Sequence, residues 1–140
     1  MPCKFSEDNI KANLKGKALL SKYICNQIFD EVKIPAQLQY VFVSDAALLE
    51  MNQQFLAHDT FTDIITFNLS ENDKKLIGEI YISVDRIVEN AKKFKTTYEH
   101  ELHRVIFHGA LHLCGYKDKS AKDKSVMRSM EDKWLQSFFG

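Results

Sequence analysis

The stretch that decides the fold is DIITFNLSENDKKLIGEIYISV, Asp63 to Val84. Its two ends, DIITFNL (Asp63–Leu69) and LIGEIYISV (Leu76–Val84), are rich in β-branched and aromatic residues, the composition of strands. The second end alternates, which places Ile80, Ile82 and Val84 on one face. The polar SENDKK between them reads as a turn. Upstream, QLQYVFVS (Gln37–Ser44) is a further strand, separated from the first by a helix that Asp45 can cap. That helix carries Leu48, Leu49, Asn52, Phe55 and Leu56 on one side. Before Pro35, KALLSKYICNQIFDEV aligns Leu20, Tyr23, Ile24 and Ile28 at helical spacing.

Downstream of Val84 the period changes to that of helices. One segment, Asp85 to about Lys95, carries Ile87, Val88, Ala91 and Phe94. A second, opened by Thr96 and Glu99 as a capping box, runs to Cys114. A third follows Ser120 and Asp123, with Met127, Met130, Trp134 and Phe138 as core packing. Residues 1–140 therefore predict a single α+β domain, a small mixed sheet packed by helices.

The length suits one compact domain, and ten Phe, five Tyr and one Trp among 140 residues can fill its core. The net charge is zero, so no global basic field marks a nucleic-acid binder, although local patches matter more than the sum. Three widely spaced cysteines (Cys3, Cys25, Cys114) fit free thiols in a reducing compartment better than a disulfide framework. No apolar run reaches the length of a membrane span, and MPCKFSEDNIK lacks the apolar core of a signal peptide. A cytoplasmic location is expected.

The chemistry is concentrated in HGALHLCGYKD, His108 to Asp118. His108 and His112 stand four apart, so their rings leave one helical face a turn apart. Gly115 stands where a helix-ending glycine belongs and permits a left-handed turn that can bring Asp118 back towards the rings. Two imidazoles and one carboxylate leave a fourth position for water, the layout of a catalytic zinc site. The same residues read equally as a surface pair, an ordinary helix stop and a surface aspartate. A zinc peptidase by the H-E-x-x-H route is disfavoured, because Gly109 occupies the place of the basic glutamate. Cys114 faces away from the pair and reads as a small core residue, while His100 and His103 read as surface or boundary residues.

HGALHLCGYKD resembles the H-G-x-L-H-L-x-G-Y-D-H signature of the YbeY family, the bacterial rRNA maturation endoribonucleases. TDIITF (Thr62–Phe67), IGEIYIS (Ile77–Ser83) and the Glu101–Leu102 pair resemble further family segments, in order, over roughly the last two-thirds of the chain. The resemblance implies an α+β domain with a metzincin-like metal site on the HxxxH helix. It implies one Zn2+ or similar divalent ion per chain, held by His108, His112 and Asp118; nickel accepts the same ligands. It implies metal-dependent, single-strand-specific RNA cleavage in 16S rRNA maturation and ribosome quality control. The partners would be single-stranded rRNA and the small ribosomal subunit with its assembly proteins, and no membrane. The alternative is a non-catalytic small-subunit assembly factor with a structural metal.

Two departures stand out. Asp118 occupies the place of a usual third histidine, and its charge makes the ion a weaker Lewis acid, partly offset by Lys117 and Lys119. Leu56 falls where the family usually has an arginine, with Asp59 and Thr62 kept and His58 two residues on as a possible substitute. Phosphate contacts would come from Arg104, Lys117, Lys119 and Lys122, within a basic run that includes Lys124 and Arg128; Lys92, Lys93 and Lys95 form a second. Arg104 also reads as an ion-pair partner of Glu101, and the lysines as a solvated helix face.

Overall fold

The computed structural model describes residues 1–56 and 62–140. Along the chain run β1 (Cys3–Glu7), α1 (Lys17–Val32), β2 (Ala36–Val43), α2 (Asp45–Leu56), β3 (Ile64–Asn68), β4 (Leu76–Ser83), α3 (Val84–Lys93), α4 (Tyr98–Leu113) and α5 (Ala121–Phe139). The strands form one sheet in the order β1-β2-β4-β3. β1 pairs with β2 and β2 with β4 in parallel, while β3 returns antiparallel to β4 through the polar turn. The fold is thus α+β, a mixed sheet covered by helices, with every expected element present and strand limits within a residue or so of those read from the sequence.

Alternation along β2 and β4 sorts the core into two layers. Leu38, Tyr40, Phe42, Ile80 and Ile82 point to one face and pack with Leu20, Ile24 and Ile28 of α1, Ile106, Phe107 and Ala110 of α4, and Trp134 of α5. Burial of each such side chain contributes about 1.5–3 kcal/mol before chain entropy is set against it. On the other face, Val43, Leu48 and Ile65 form a smaller cluster under α2. Tyr40 is fully buried, and its hydroxyl donates to the Ile106 carbonyl at 2.9 Å, which bolts the middle of α4 to the sheet.

Several local expectations shift. β1 was not apparent in the sequence: it is a short edge strand in a charged segment, and only Cys3 of it is buried. Ser44, not Asp45, caps α2, its Oγ accepting from Ala47 N–H at 3.2 Å; Asp45 pairs instead with Arg86 at 2.9 Å. Thr97 rather than Thr96 caps α4, accepting from His100 N–H at 3.1 Å. The Ser120–Asp123 capping box is present. Phe55, Val88 and Phe94 are exposed, and Phe55 packs edge-on against Phe67.

His103 is the larger correction. It is buried, donates its Nδ1–H to the Glu99 carbonyl (2.7 Å), and lies among the rings of Phe107, Phe138 and Phe139. Burial holds its pKa below the ordinary 6.5. The folded state therefore binds this proton less readily than the unfolded chain, and stability from a neutral His103 is lost as pH falls below about 6.5 through the folded value. In urea unfolding, the stability of the wild type relative to His103→Phe should fall as pH is lowered from 7 to 5; a difference that stays flat removes His103 as the source.

Gly109 marks a tight approach of α4 to the sheet. A Cβ there would stand 2.9 Å from Ile80 Cγ2 and 3.0 Å from Ile64 Cδ1. Gly109→Val should lower the unfolding free energy by about 1–3 kcal/mol through overpacking, read as a lower urea midpoint.

Candidate active site

The site is built where α4 crosses β3 and meets the loop before α5. α4 ends in a Schellman turn: Tyr116 N–H donates to Leu111 O at 3.2 Å and Gly115 N–H to His112 O at 3.0 Å, with Gly115 at φ 107°. Glycine adopts that conformation at no steric cost. The turn sends the Tyr116 carbonyl back to His112, where Nδ1 lies 3.0 Å from it. A carbonyl can only accept, so His112 carries its proton on Nδ1 and leaves the Nε2 lone pair free.

His108 is oriented from the other side. Its Nδ1 is 2.7 Å from Oε2 of Glu131, on α5. The two rings are nearly parallel, 7° apart, with centroids 6.5 Å from each other. Asp118 Oδ2 stands 3.7 Å from His108 Nε2, the nitrogen that Glu131 does not use. Burial by itself would lower the His108 pKa; the Glu131 carboxylate, then Asp118 and Asp63, outweigh it and raise it.

These groups open into one cleft of about 290 Å³, lined by Thr62, Asp63, Ile64, Thr66, His108, His112 and Asp118. The fold thus gathers all three residues singled out by spacing. Among the described residues, however, no three His, Cys, Asp or Glu side chains stand close enough together to hold an ion as placed. Both Nδ1 positions have acceptors, which orient the rings and fix their protons as ligating imidazoles need, and Asp118 is a half-exposed carboxylate beside them. By its chemistry, two imidazoles and a carboxylate, the donor set fits a zinc-type ion.

Two residues of the site were not singled out in the sequence. Asp63, immediately before β3, lines the cleft, and burial raises its pKa above the ordinary carboxyl value. Glu131 is buried on the same stripe of α5 as Met127, Trp134 and Leu135. A charged residue on an apolar stripe was the available signal. Arg104 pairs with Glu131 at 3.0 Å and Asp132 at 2.7 Å, not with Glu101 as expected. Lys117, Lys119 and Lys122 are exposed beside the cleft, Lys117 and Lys122 along a shallow depression with Tyr116 and Val126. His58 and Asp59 lie outside the described residues, as does the side chain of Leu56. Gly109 faces Ile80 and Ile64 of the sheet, so a glutamate there has neither room nor access to the cleft, against a peptidase of the H-E-x-x-H type.

A family model described as Endoribonuclease YbeY matches residues 4–139. The chain is 49% identical over 116 residues to Endoribonuclease YbeY of Flavobacterium psychrophilum, covering 83% of this chain and 82% of that one. It is 44% identical over 128 residues to Endoribonuclease YbeY of Cytophaga hutchinsonii, covering 91% and 90%. The solution structure of TM1509 from Thermotoga maritima is similar with a TM-score of 0.62 and 31% identity, over 99% of this chain and 89% of that one. The fold and the sequence together define a known class of α+β domain. The chain belongs to the Endoribonuclease YbeY family, whose named members are hydrolases of the nuclease type. Among the described residues no helix is long and apolar enough to cross a membrane.

Glu131→Ala should cost about 3 kcal/mol or more in urea unfolding, because it leaves Arg104 and His108 largely buried without their shared carboxylate. Glu131→Gln, which keeps an acceptor for His108 Nδ1, should lose less.

Proposed function

We propose that this chain is a metal-dependent endoribonuclease that cleaves single-stranded RNA in 16S rRNA maturation and ribosome quality control. It would work in the cytoplasm with the small ribosomal subunit and its assembly proteins. The observation that carries the reading is the pair of imidazoles with Nδ1 engaged by Glu131 and Tyr116, each left with Nε2 beside a cleft that also holds Asp118. His108, His112 and Asp118 would hold the ion. Bound there, a zinc-type ion supplies Lewis acidity and a way to activate water near neutral pH.

The chain's own residues support that chemistry in distinct ways. Glu131 and the Tyr116 carbonyl keep the ring protons on Nδ1. Asp63, whose burial raises its affinity for a proton, is the carboxyl on the cleft wall suited to hold one during cleavage. Lys117, Lys119 and Lys122 are exposed and would meet backbone phosphates. Arg104 serves differently: its guanidinium is committed to Glu131 and Asp132, so it positions Glu131 rather than RNA.

His112 is exposed, so its removal should leave the fold intact. Purified wild type should cut a labelled single-stranded RNA, chelator should stop it, and His112→Ala should lose at least about a hundredfold in rate, the effect of removing a group on which activation depends. Equal cutting by both proteins would mark a contaminating nuclease and defeat the reading. Cutting by neither, with association to small subunits retained, would favour the assembly-factor alternative.

A further inference from the structure

Outside the cleft, two thiols meet. Cys3 opens the edge strand β1, and Cys25 lies in α1; their sulfurs are 3.3 Å apart. The approach is held by the backbone. Cys3 N–H donates to Ser21 Oγ at 3.0 Å, and Ser21 lies one turn before Cys25 on the same face of α1. The strand end is thus pinned to the helix beside the second thiol. We propose that Cys3 and Cys25 are a modification site, a dithiol that closes to a reversible disulfide by exchange with a low-molecular-weight disulfide.

The two sulfurs differ in access and in acidity. Cys25 is half-buried and partly exposed to a small reagent, whereas Cys3 is fully buried with its sulfur against that of Cys25. The bond between them lowers the Cys25 pKa and, together with burial, raises that of Cys3. Cys25 is therefore the attacking thiolate. It displaces one thiolate from the small disulfide and forms a mixed disulfide; the released thiolate takes up a proton. Cys3 then loses its proton and attacks Cys25 Sγ, expelling the second small thiol. The protein loses two protons and two electrons, and the small disulfide gains them as two thiols.

Closing the bond requires the sulfurs to approach to about 2.0 Å, a movement over which the Ser21 contact holds the strand end in place. Cys114 is the internal comparison: burial, with Glu31 nearby, pushes its thiol up to about 12. The disulfide would tie β1, which has β2 as its one neighbour in the sheet, to the helix that covers it. The site is independent of the nuclease reading, since neither cysteine lines the cleft.

The test incubates the full chain with oxidised glutathione and maps non-reduced peptides by mass. The expected result is loss of two of the three thiols, a Cys3–Cys25 linked peptide lighter by two hydrogens, and reversal by dithiothreitol. The oxidised form should melt roughly 5–10 °C higher, as expected for a closed loop of this size. Cys3→Ala should stop at a glutathione adduct on Cys25, and Cys25→Ala should leave Cys3 unmodified. A stable adduct on Cys25 in the wild type, a link through Cys114 or between chains, or no reaction would overturn the proposal. The wild-type peptide map decides even if Cys3→Ala folds poorly.

Discussion

The carboxylate of Glu131 is the interaction on which the site depends. It is buried between α4 and α5, where a lone charge would be strongly disfavoured. Arg104 and His108, both on α4, meet it at 3.0 and 2.7 Å, and Arg128 approaches at 3.6 Å. Taking these groups from water costs several kcal/mol, and their mutual attraction offsets that only in good geometry. The result is specificity more than stability: α5 must seat at one height along α4, because a slip of one turn would separate the charges. That seating also fixes the ring of His108, so the helix packing and the chemistry of the site rest on the same atoms.

Two glycines set the other coordinates. Gly109 lets α4 approach Ile64 and Ile80 more closely than a side chain would without displacing them, and His108 and His112 open into the cleft lined by the start of β3. Gly115, at positive φ, closes the Schellman turn. That turn has a double effect, since it satisfies the last carbonyls of α4 and redirects the Tyr116 carbonyl onto His112. Asp118 arrives beside His108 as the third consequence of the same reversal.

The parts legible in the sequence were those governed by local period. The i, i+4 histidines, the helix-ending Gly115, the Ser120–Asp123 box and the strand–turn–strand from Asp63 all lie within a few residues of their causes. What escaped depends on partners distant in the chain. Glu131 is 23 residues from His108, so the nature of its contact cannot be read from spacing. His103 follows the rule for surface histidines until Phe138 and Phe139 fold over it. β1 exists because β2 offers it an edge and α1 a cover, not because its own residues favour a strand. The shift from Thr96 to Thr97 at the start of α4 is a one-residue choice between two equally suitable hydroxyls.

The balance of charge around the cleft follows from these placements. Asp63 and Asp118 line it, and Glu131 stands behind His108, so carboxyls surround the two imidazoles. Such a site attracts a cation and repels a polyanion. Arg104 cannot relieve the repulsion, because Glu131 and Asp132 already hold it. The compensation has to come from the loop that carries Asp118, where Lys117 and Lys119 flank the carboxylate in sequence and Lys122 follows in the first turn of α5. A chain with aspartate in place of a third histidine thus carries its extra negative charge between exposed lysines. An ion in the cleft would complete the neutralisation, and on the proposed function cation binding and the approach of a phosphate backbone would then be coupled events rather than separate ones.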